Sequence, residues 1–162
     1  MTLVEVIIAM AVLSMLMGAV LSAVNLSAKV QLSTAERLEG GVLAWQLAED
    51  IASRPYEDPT TTGEFGPGLD ENASDRTTFD DVDDFDGWKE SPPLHDDGTA
   101  LTGRDGWELL VRVEPVDGTD LRTARPGEET GVKLVVVVAQ HNGREAARVG
   151  RLRSKAGDTM HR

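Results

Sequence analysis

The chain begins with MTLVEVIIAMAVLSMLMGAVLSAVNLSA, Met1 to Ala28, its most informative stretch. The 23 positions from Val6 to Ala28 carry no charged residue. As a helix they would extend for roughly 35 Å, which is enough to cross a hydrocarbon core of about 30 Å. An isolated strand would leave its backbone groups unsatisfied in lipid. The sequence therefore predicts a membrane-length apolar helix at the amino terminus.

Glu5 places one carboxylate at the head of this helix. A charge at bilayer depth costs roughly 3 kcal/mol on insertion scales, so such an acid is by default functional and has a cationic partner. The nearest unpaired cation would be an N-terminal amine. The alternative is that Glu5, so near the chain start, extends to the lipid headgroups.

A cleavable secretory signal is the first rival interpretation. Such a signal needs a basic region, a short apolar core and a small-residue cleavage site. The N-terminus has no Lys or Arg before the apolar run, although Ser22, Ala23 and Ser27 resemble a cleavage site. We favour a retained helix, and N-terminal sequencing of the exported protein would distinguish the two.

Composition limits the remaining functions. The chain has 162 residues, a net charge of −12 and no cysteine, which excludes disulfides, thiol catalysis and thiolate metal sites. The acidic balance argues against a nucleic-acid surface, because phosphate binding needs clustered Lys and Arg. Roughly 110 residues remain beyond the N-terminal helix, enough for one small domain.

The helical pattern continues beyond the apolar run to about Ser53. Charged residues lie off a stripe of apolar residues at spacings of three and four, namely Ala28, Leu32, Ala35, Leu38, Val42, Trp45, Ala48 and Ala52. Arg54-Pro55 ends the helix, because proline disfavours the α region at the residue before it. Gly40-Gly41 either permits a bend or is a weak point that the helix tolerates, and we favour the second interpretation.

A loop is predicted from Tyr56 to Gly106, because Pro, Gly, Asp and Thr dominate this segment. Its apolar residues are expected to anchor it to the domain by ordinary packing: Phe65, Phe79, Val82, Phe85, Trp88 and Leu94.

Strands are predicted in the last third of the chain. Trp107 to Glu114 alternates apolar and polar residues, Val132 to Gln140 is a β-branched run, and Glu145 to Arg153 follows an Asn-Gly turn signal at Asn142. A further short strand is possible at Leu121 to Ala124, between turn signals.

The predicted fold class is α+β: a long N-terminal helix, apolar in its first half and amphipathic in its second, packed on a small antiparallel sheet, with a long acidic loop between them. The predicted segments are 1–28 (membrane or filament-core helix), 29–54 (amphipathic helix), 55–106 (acidic loop), 107–154 (sheet) and 155–162 (flexible tail).

The opening MTLVEVIIAMAVLSML resembles the mature N-terminus of the type IV pilin and type II secretion pseudopilin superfamily, with Thr2, Leu3 and Glu5 in register. The order of helix, loop and antiparallel sheet is also similar to that family's fold. LAEDIASRPYEDP, Leu47 to Pro59, and FDDVDDFDGW, Phe79 to Trp88, resemble minor pilins of the mannose-sensitive haemagglutinin type.

The resemblance implies that Met1, where the family more often has Phe, is the methylated amino terminus, and that Glu5 pairs with the amine of a neighbouring subunit. It implies as partners other pilin or pseudopilin subunits, a prepilin peptidase and an inner-membrane assembly platform. The expected location is the inner membrane, as a single-pass protein with an exported carboxy-terminal domain, and then a filament. The family's basic leader ending in Gly does not precede Met1 in this sequence. Either the chain is the processed form or its start is placed too late, and a short Lys-containing leader in the upstream reading frame would decide; a true translation start at Met1 would count against the resemblance.

The acidic run is the other candidate site: Asp80, Asp81, Asp83, Asp84 and Asp86. Dense oxygen ligands followed by Gly87 suit Ca²⁺, and some pseudopilins hold calcium in a loop before their last strands. The EF-hand pattern fails, because aligning Gly87 with its glycine puts Val82 at the first ligand position. We favour the alternative of solvated charge on a loop.

No catalytic pattern is present in the sequence. The histidines His95, His141 and His161 lack metal-ligand spacing, and neither a phosphate loop nor a G-x-S-x-G motif occurs. Two function classes remain: a structural filament subunit, or a monomeric membrane-anchored exported domain that binds a ligand or Ca²⁺ through its acidic loop. The residues favour neither a pilus over a secretion pseudopilus nor a major over a minor subunit.

Overall fold

The structure, a computed structural model, describes residues 2–58, 65–68 and 71–160. The chain divides into two compact units, Met1–Arg37 and Leu38–Arg162. One helix, α1 (Leu3–Ser53), supplies the first unit and begins the second. The second unit adds four strands: β1 (Lys89–Glu90), β2 (Trp107–Pro115), β3 (Val132–His141) and β4 (Arg144–Ser154). One long helix and an antiparallel sheet confirm the predicted α+β class.

The sheet has the order β1-β2-β3-β4, and every neighbouring pair is antiparallel. The predicted turn between β3 and β4 is confirmed. Asn142 and Gly143 both have positive φ, 51° and 75°, as a two-residue turn matched to strand twist requires. Alternate residues of β2 and β3 face inward, so that Val111 lies opposite Val137 in the core.

The carboxy-terminal part of α1 covers the inner face of the sheet. Its buried residues are Gly40, Leu43, Ala44, Leu47, Ala48 and Ile51, and most of them share one core cluster with the inward residues of β2 and β3. The stripe predicted through Leu38, Val42 and Trp45 is therefore wrong, because these side chains are 68%, 56% and 50% exposed.

Small residues explain why the helix face that carries Gly40, Ala44 and Ala48 is buried in place of the predicted stripe. A Cβ on Gly40 would lie 2.9 Å from Trp107 Cζ3 and 3.1 Å from Ala146 Cβ, whereas one on Gly41 would meet nothing within 4 Å. Gly40, Ala44 and Ala48 thus let the sheet approach the helix backbone closely, and the larger residues beside them complete the contact. Gly40 is a packing position and not merely a tolerated weak point.

The segment 55–106 contains more regular structure than predicted. It holds single 3-10 turns at Arg76–Thr78 and Asp83–Phe85, as well as β1. Three of the expected apolar anchors, Phe79, Val82 and Phe85, are buried, and Phe79 makes edge-to-face contacts with Phe85 and Trp88. Phe65 is 49% exposed and is not a core anchor.

One further prediction needs correction. Leu121 to Ala124 is not a strand: it contributes one bridge, Val116 to Ala124, because nearby amides donate to aspartate side chains, as Thr119 N does to Asp117 Oδ1 at 2.8 Å. Within the segment 155–162, predicted as a flexible tail, the structure has a 3-10 helix, Lys155–Met160. Residues 161 and 162 lie outside the described part.

Candidate functional site

The amino-terminal part of α1 is apolar and exposed all round. Leu3, Ile7, Met10, Leu13 and Leu21 are between 58% and 79% exposed. Within the first unit no side chain from Leu3 to Arg37 is buried. By length and composition this helix could span a membrane, although a signal sequence meets the same criteria.

Two serine side chains in this part of the helix donate to backbone carbonyls of the preceding turn. Ser14 Oγ donates to Met10 O at 2.7 Å, and Ser22 Oγ donates to Gly18 O at 2.9 Å. Both hydroxyls therefore bond within one helical turn. An apolar environment would not leave these donors unpaired.

Glu5 has a local role that the sequence interpretation missed. The backbone N–H of Thr2 donates to Glu5 Oε2 at 3.4 Å, which is the return half of a capping box, Thr-x-x-Glu. The spacing of Thr2 and Glu5 could have revealed it. Glu5 is exposed, so its carboxylate remains accessible to a partner. Met1, the predicted methylation site, lies outside the described residues.

The five aspartates of the acidic run lie in different environments. Asp81, Asp83 and Asp84 are buried, with 1%, 4% and 4% of their surfaces exposed. Asp80 is half-buried and Asp86 is exposed. The favoured interpretation of solvated loop charge is therefore wrong for three of the five.

Backbone donors explain how this burial is tolerated. Asp84 Oδ2 accepts from the N–H groups of Asp80 and Asp81 at 3.0 and 2.9 Å, and Asp81 Oδ1 accepts from Asp83 N at 2.7 Å. Asp86 Oδ1 accepts from Val113 N on β2 at 2.9 Å. These carboxyl groups organise the segment by accepting amide protons that the sheet and helix do not use.

The five aspartates do not converge on one point. Among the described residues, the acidic side chains that converge are Glu71, Asp80 and Asp84, whose oxygens lie within 4.8 Å of one another. Burial raises the pKa of Glu71, and the neighbouring Asp84 raises it further. Glu71 Oε1 and Oε2 already accept from Asp80 N and Gly68 N, at 2.9 and 2.7 Å. The oxygen donors are of the type that Ca²⁺ prefers, but three are fewer than the six to eight it takes.

Lys133 is a buried lysine on the inward face of β3, with 3% of its surface exposed. Its Nζ donates to Asp83 Oδ1 and, at 2.5 Å, to Tyr56 O. The ammonium also lies 4.2 Å from the centre of the Tyr56 ring. The sequence carries a signal for this site, because Lys133 is in phase with the inward-facing Val135 and Val137.

A second buried ion pair holds β1 to the preceding segment. Arg76 Nη1 donates to Glu90 Oε1 at 2.6 Å, and both side chains are almost fully buried. Glu90 also accepts from Trp88 Nε1 at 3.2 Å and from Leu94 N at 2.9 Å. The sequence analysis did not predict this ion pair, because Arg76 and Glu90 lie in a segment whose composition predicts loop.

Comparison with protein-family models, with curated proteins and with solved structures found no match to this chain.

Proposed function

We propose that this chain is a structural subunit, a minor pilin or pseudopilin, of a type IV pilus-like or type II secretion filament. The observation that carries the proposal is the amino-terminal part of α1, which is apolar on every side and exposed, with Glu5 at its head. Such a helix needs lipid or other apolar helices around it, because a helix that is hydrophobic all round is normally buried.

Glu5 would give the assembly its register. In a bundle of apolar helices, an acid and the amine of a neighbouring chain end would each relieve the other's desolvation. The pairing would fix the axial position of one helix against the next. The subunit would lie in the inner membrane before assembly, with the carboxy-terminal unit exported, and would enter the filament through its apolar helix.

Glu5 also caps the helix, so the test must separate charge from capping. Glu5→Ala removes both, whereas Glu5→Gln keeps an oxygen that can accept from Thr2 N. We expect both variants to lose incorporation into sheared surface filaments, while the full chain stays in the membrane fraction. Incorporation of Glu5→Gln at the wild-type level would reduce Glu5 to a capping residue and contradict the proposal.

The second candidate function is that of a monomeric membrane-anchored domain that binds Ca²⁺ through its acidic loop, 55–106. The observation that favours it is the convergence of Glu71, Asp80 and Asp84. This alternative predicts that millimolar Ca²⁺ raises the melting temperature of the full chain in detergent, and that Glu71→Gln abolishes the rise. It also predicts that Glu5→Ala inserts as well as the wild type. An unchanged melting temperature would count against calcium binding.

A further inference from the structure

β4 forms one edge of the sheet and is long. It is the last strand in the order β1-β2-β3-β4 and has 11 residues, whereas β1, at the other edge, has two. A strand at the edge of a sheet presents a row of unused N–H and C=O groups, which can pair with another strand. β4 is therefore the edge of this sheet with the greater capacity to accept a strand.

The hydrogen bonds of the sheet show which residues of β4 direct their backbone groups outward. Val116 N donates to Val132 O at 3.0 Å, so the even-numbered residues of β3 bond to β2. An antiparallel strand bonds to its two neighbours through alternate residues, so the odd-numbered residues of β3 bond to β4. Val137 lies opposite Val149, and the odd-numbered residues of β4 therefore bond back to β3.

Three even-numbered residues of β4 thus direct their N–H and C=O groups away from β3: Arg148, Gly150 and Leu152. All three are exposed. Among residues 2–58, 65–68 and 71–160, no group accepts from their N–H groups. These residues form a free hydrogen-bonding edge in the carboxy-terminal unit.

β4 is also basic, in a chain that is acidic as a whole. It carries four arginines and one glutamate, while the net charge of the chain is −12. Like charges placed opposite each other on neighbouring strands destabilise the pair, and opposite charges stabilise it. Its charge therefore disfavours pairing of β4 with a second β4 and favours pairing with an acidic strand.

We propose that β4 is a docking site for an extended acidic segment of another protein, which adds to the sheet as a further antiparallel or parallel strand. Main-chain hydrogen bonds at Arg148, Gly150 and Leu152 hold the segment, and its alternate side chains give the specificity. The site uses no residue of the amino-terminal unit, so it does not rest on the proposed filament role.

The inner face of β4 offers a cation to the docked segment. Arg151 pairs with Glu49 of α1, and both side chains are partly exposed. Its guanidinium lies 5.7 Å from the centre of the Trp45 ring, which is itself 50% exposed. An exposed ion pair contributes little to stability, so Arg151 can exchange Glu49 for an acidic side chain of the docked segment.

The outer face of β4 offers an apolar contact. Leu152 is 47% exposed and lies opposite Leu134 of β3. Gly150, two residues earlier on the same face, has no side chain, which leaves room beside Leu152. Because successive side chains of a strand point to opposite faces, the segment that fits both faces alternates acidic and apolar residues.

A capped peptide of alternating Val and Glu residues, as long as β4, serves as the probe. Fluorescence anisotropy of the labelled peptide measures its binding to the full chain in detergent. We expect saturable binding that weakens as salt is raised, and binding at least about ten-fold weaker when Lys replaces Glu in the peptide. Amide hydrogen exchange at Arg148, Gly150 and Leu152 should slow in the complex.

Gly150→Pro and Gly150→Ala are a matched pair of variants. Proline removes an N–H that β3 does not use, at the kind of edge position where strands accept proline. Alanine keeps the N–H, and its Cβ would make an ordinary contact, 3.6 Å from Leu134 Cδ1. We expect affinity for the Val-Glu peptide to fall at least about ten-fold in Gly150→Pro and to stay near the wild-type value in Gly150→Ala.

N-methylated peptides give the same test without changing the chain. Residues that exchange hydrogen bonds across two strands lie on the same face, so the Val residues, on the outer face, donate to β4. N-methylation of the Val residues should abolish binding, whereas N-methylation of the Glu residues should leave it. Arg151→Gln should weaken the binding of the Val-Glu peptide.

Absence of saturable binding of the Val-Glu peptide to the wild-type chain would overturn the proposal. Equal affinities of the Val-Glu and Val-Lys peptides, or of the two N-methylated peptides, would also overturn it. A failure to bind the peptide, together with a dimer of the chain that Gly150→Pro abolishes and Gly150→Ala keeps, would assign this edge to a second copy instead.

Discussion

At the scale of single residues, Gly40 and Gly41 are neighbours with opposite surroundings. Gly40 is buried against Trp107 and Ala146, and Gly41 has open space where a Cβ would stand. Both glycines lower the helix propensity of α1 by about the same amount. Only packing distinguishes them, so they form a matched pair.

Gly40→Ala should destabilise the fold, and Gly41→Ala should stabilise it. Overpacking at Gly40 costs about 1–3 kcal/mol, against a gain of up to about 1 kcal/mol from helix propensity, while Gly41→Ala keeps the gain alone. Denaturation of the full chain in detergent, followed by tryptophan fluorescence, measures both. Equal shifts of the same sign would contradict the close approach of the sheet to Gly40.

Asp81 should make stability depend on pH. Its pKa is about 8 in the folded chain against an ordinary value of 3.8. Between these values the folded chain holds a proton that the unfolded chain has lost, so the stability that Asp81 contributes is fully present below about pH 4 and is lost as pH rises towards 8. Asp81→Asn should flatten this part of the curve, measured as melting temperature against pH. A slope unchanged in the variant would assign the effect to other groups.

At the scale of elements, the short strand β1 depends on buried charge. Glu90→Ala would leave Arg76 buried without its principal partner, since the other, Asp96, is 93% exposed at its side chain. We expect a loss of about 3–5 kcal/mol in the free energy of unfolding. Glu145→Ala breaks the exposed pair with Arg148 and serves as the control, with no measurable change expected. A similar small effect of both substitutions would show that Glu90 does not hold β1.

The sequence predicts the elements of this chain better than their faces. β2, β3 and β4 are predicted to within one residue at each end, because alternation and an Asn-Gly turn are local signals. The buried face of α1 is not predicted, since apolar residues at 42 and 43, and again at 44 and 45, fit two different stripes. Only the close approach of the sheet to Gly40 determines which of the two stripes is buried. The sequence of the helix alone does not reveal this contact.

The acidic run also shows what sequence does not predict, in this case the burial of charged side chains. Its composition predicts loop, but a carboxylate that accepts two amide protons can be buried, and composition does not reveal those donors. Asp84 is buried through its bonds to Asp80 N and Asp81 N. Glu71 joins the cluster from outside the run, at a sequence distance that no motif marks.

At the scale of the whole molecule, each unit has a distinct character. The amino-terminal unit has no buried side chain among its described residues, 2–37, whereas the carboxy-terminal unit has its own hydrophobic core. We propose that the first unit completes its packing with other molecules and that the second folds on itself. An exported domain joined to an assembly helix is the arrangement that a filament subunit requires.

The distance between the Glu5 carboxylate and the nearest chain-end amine in purified filaments tests this proposal most directly. Cryo-electron microscopy of filaments that contain the subunit would measure it. We expect the carboxylate to lie within about 4 Å of a neighbouring subunit's terminal nitrogen, as in an ion pair, among apolar helices. A Glu5 side chain that faces solvent, with no chain end beside it, would show that Glu5 does not pair with a neighbouring subunit.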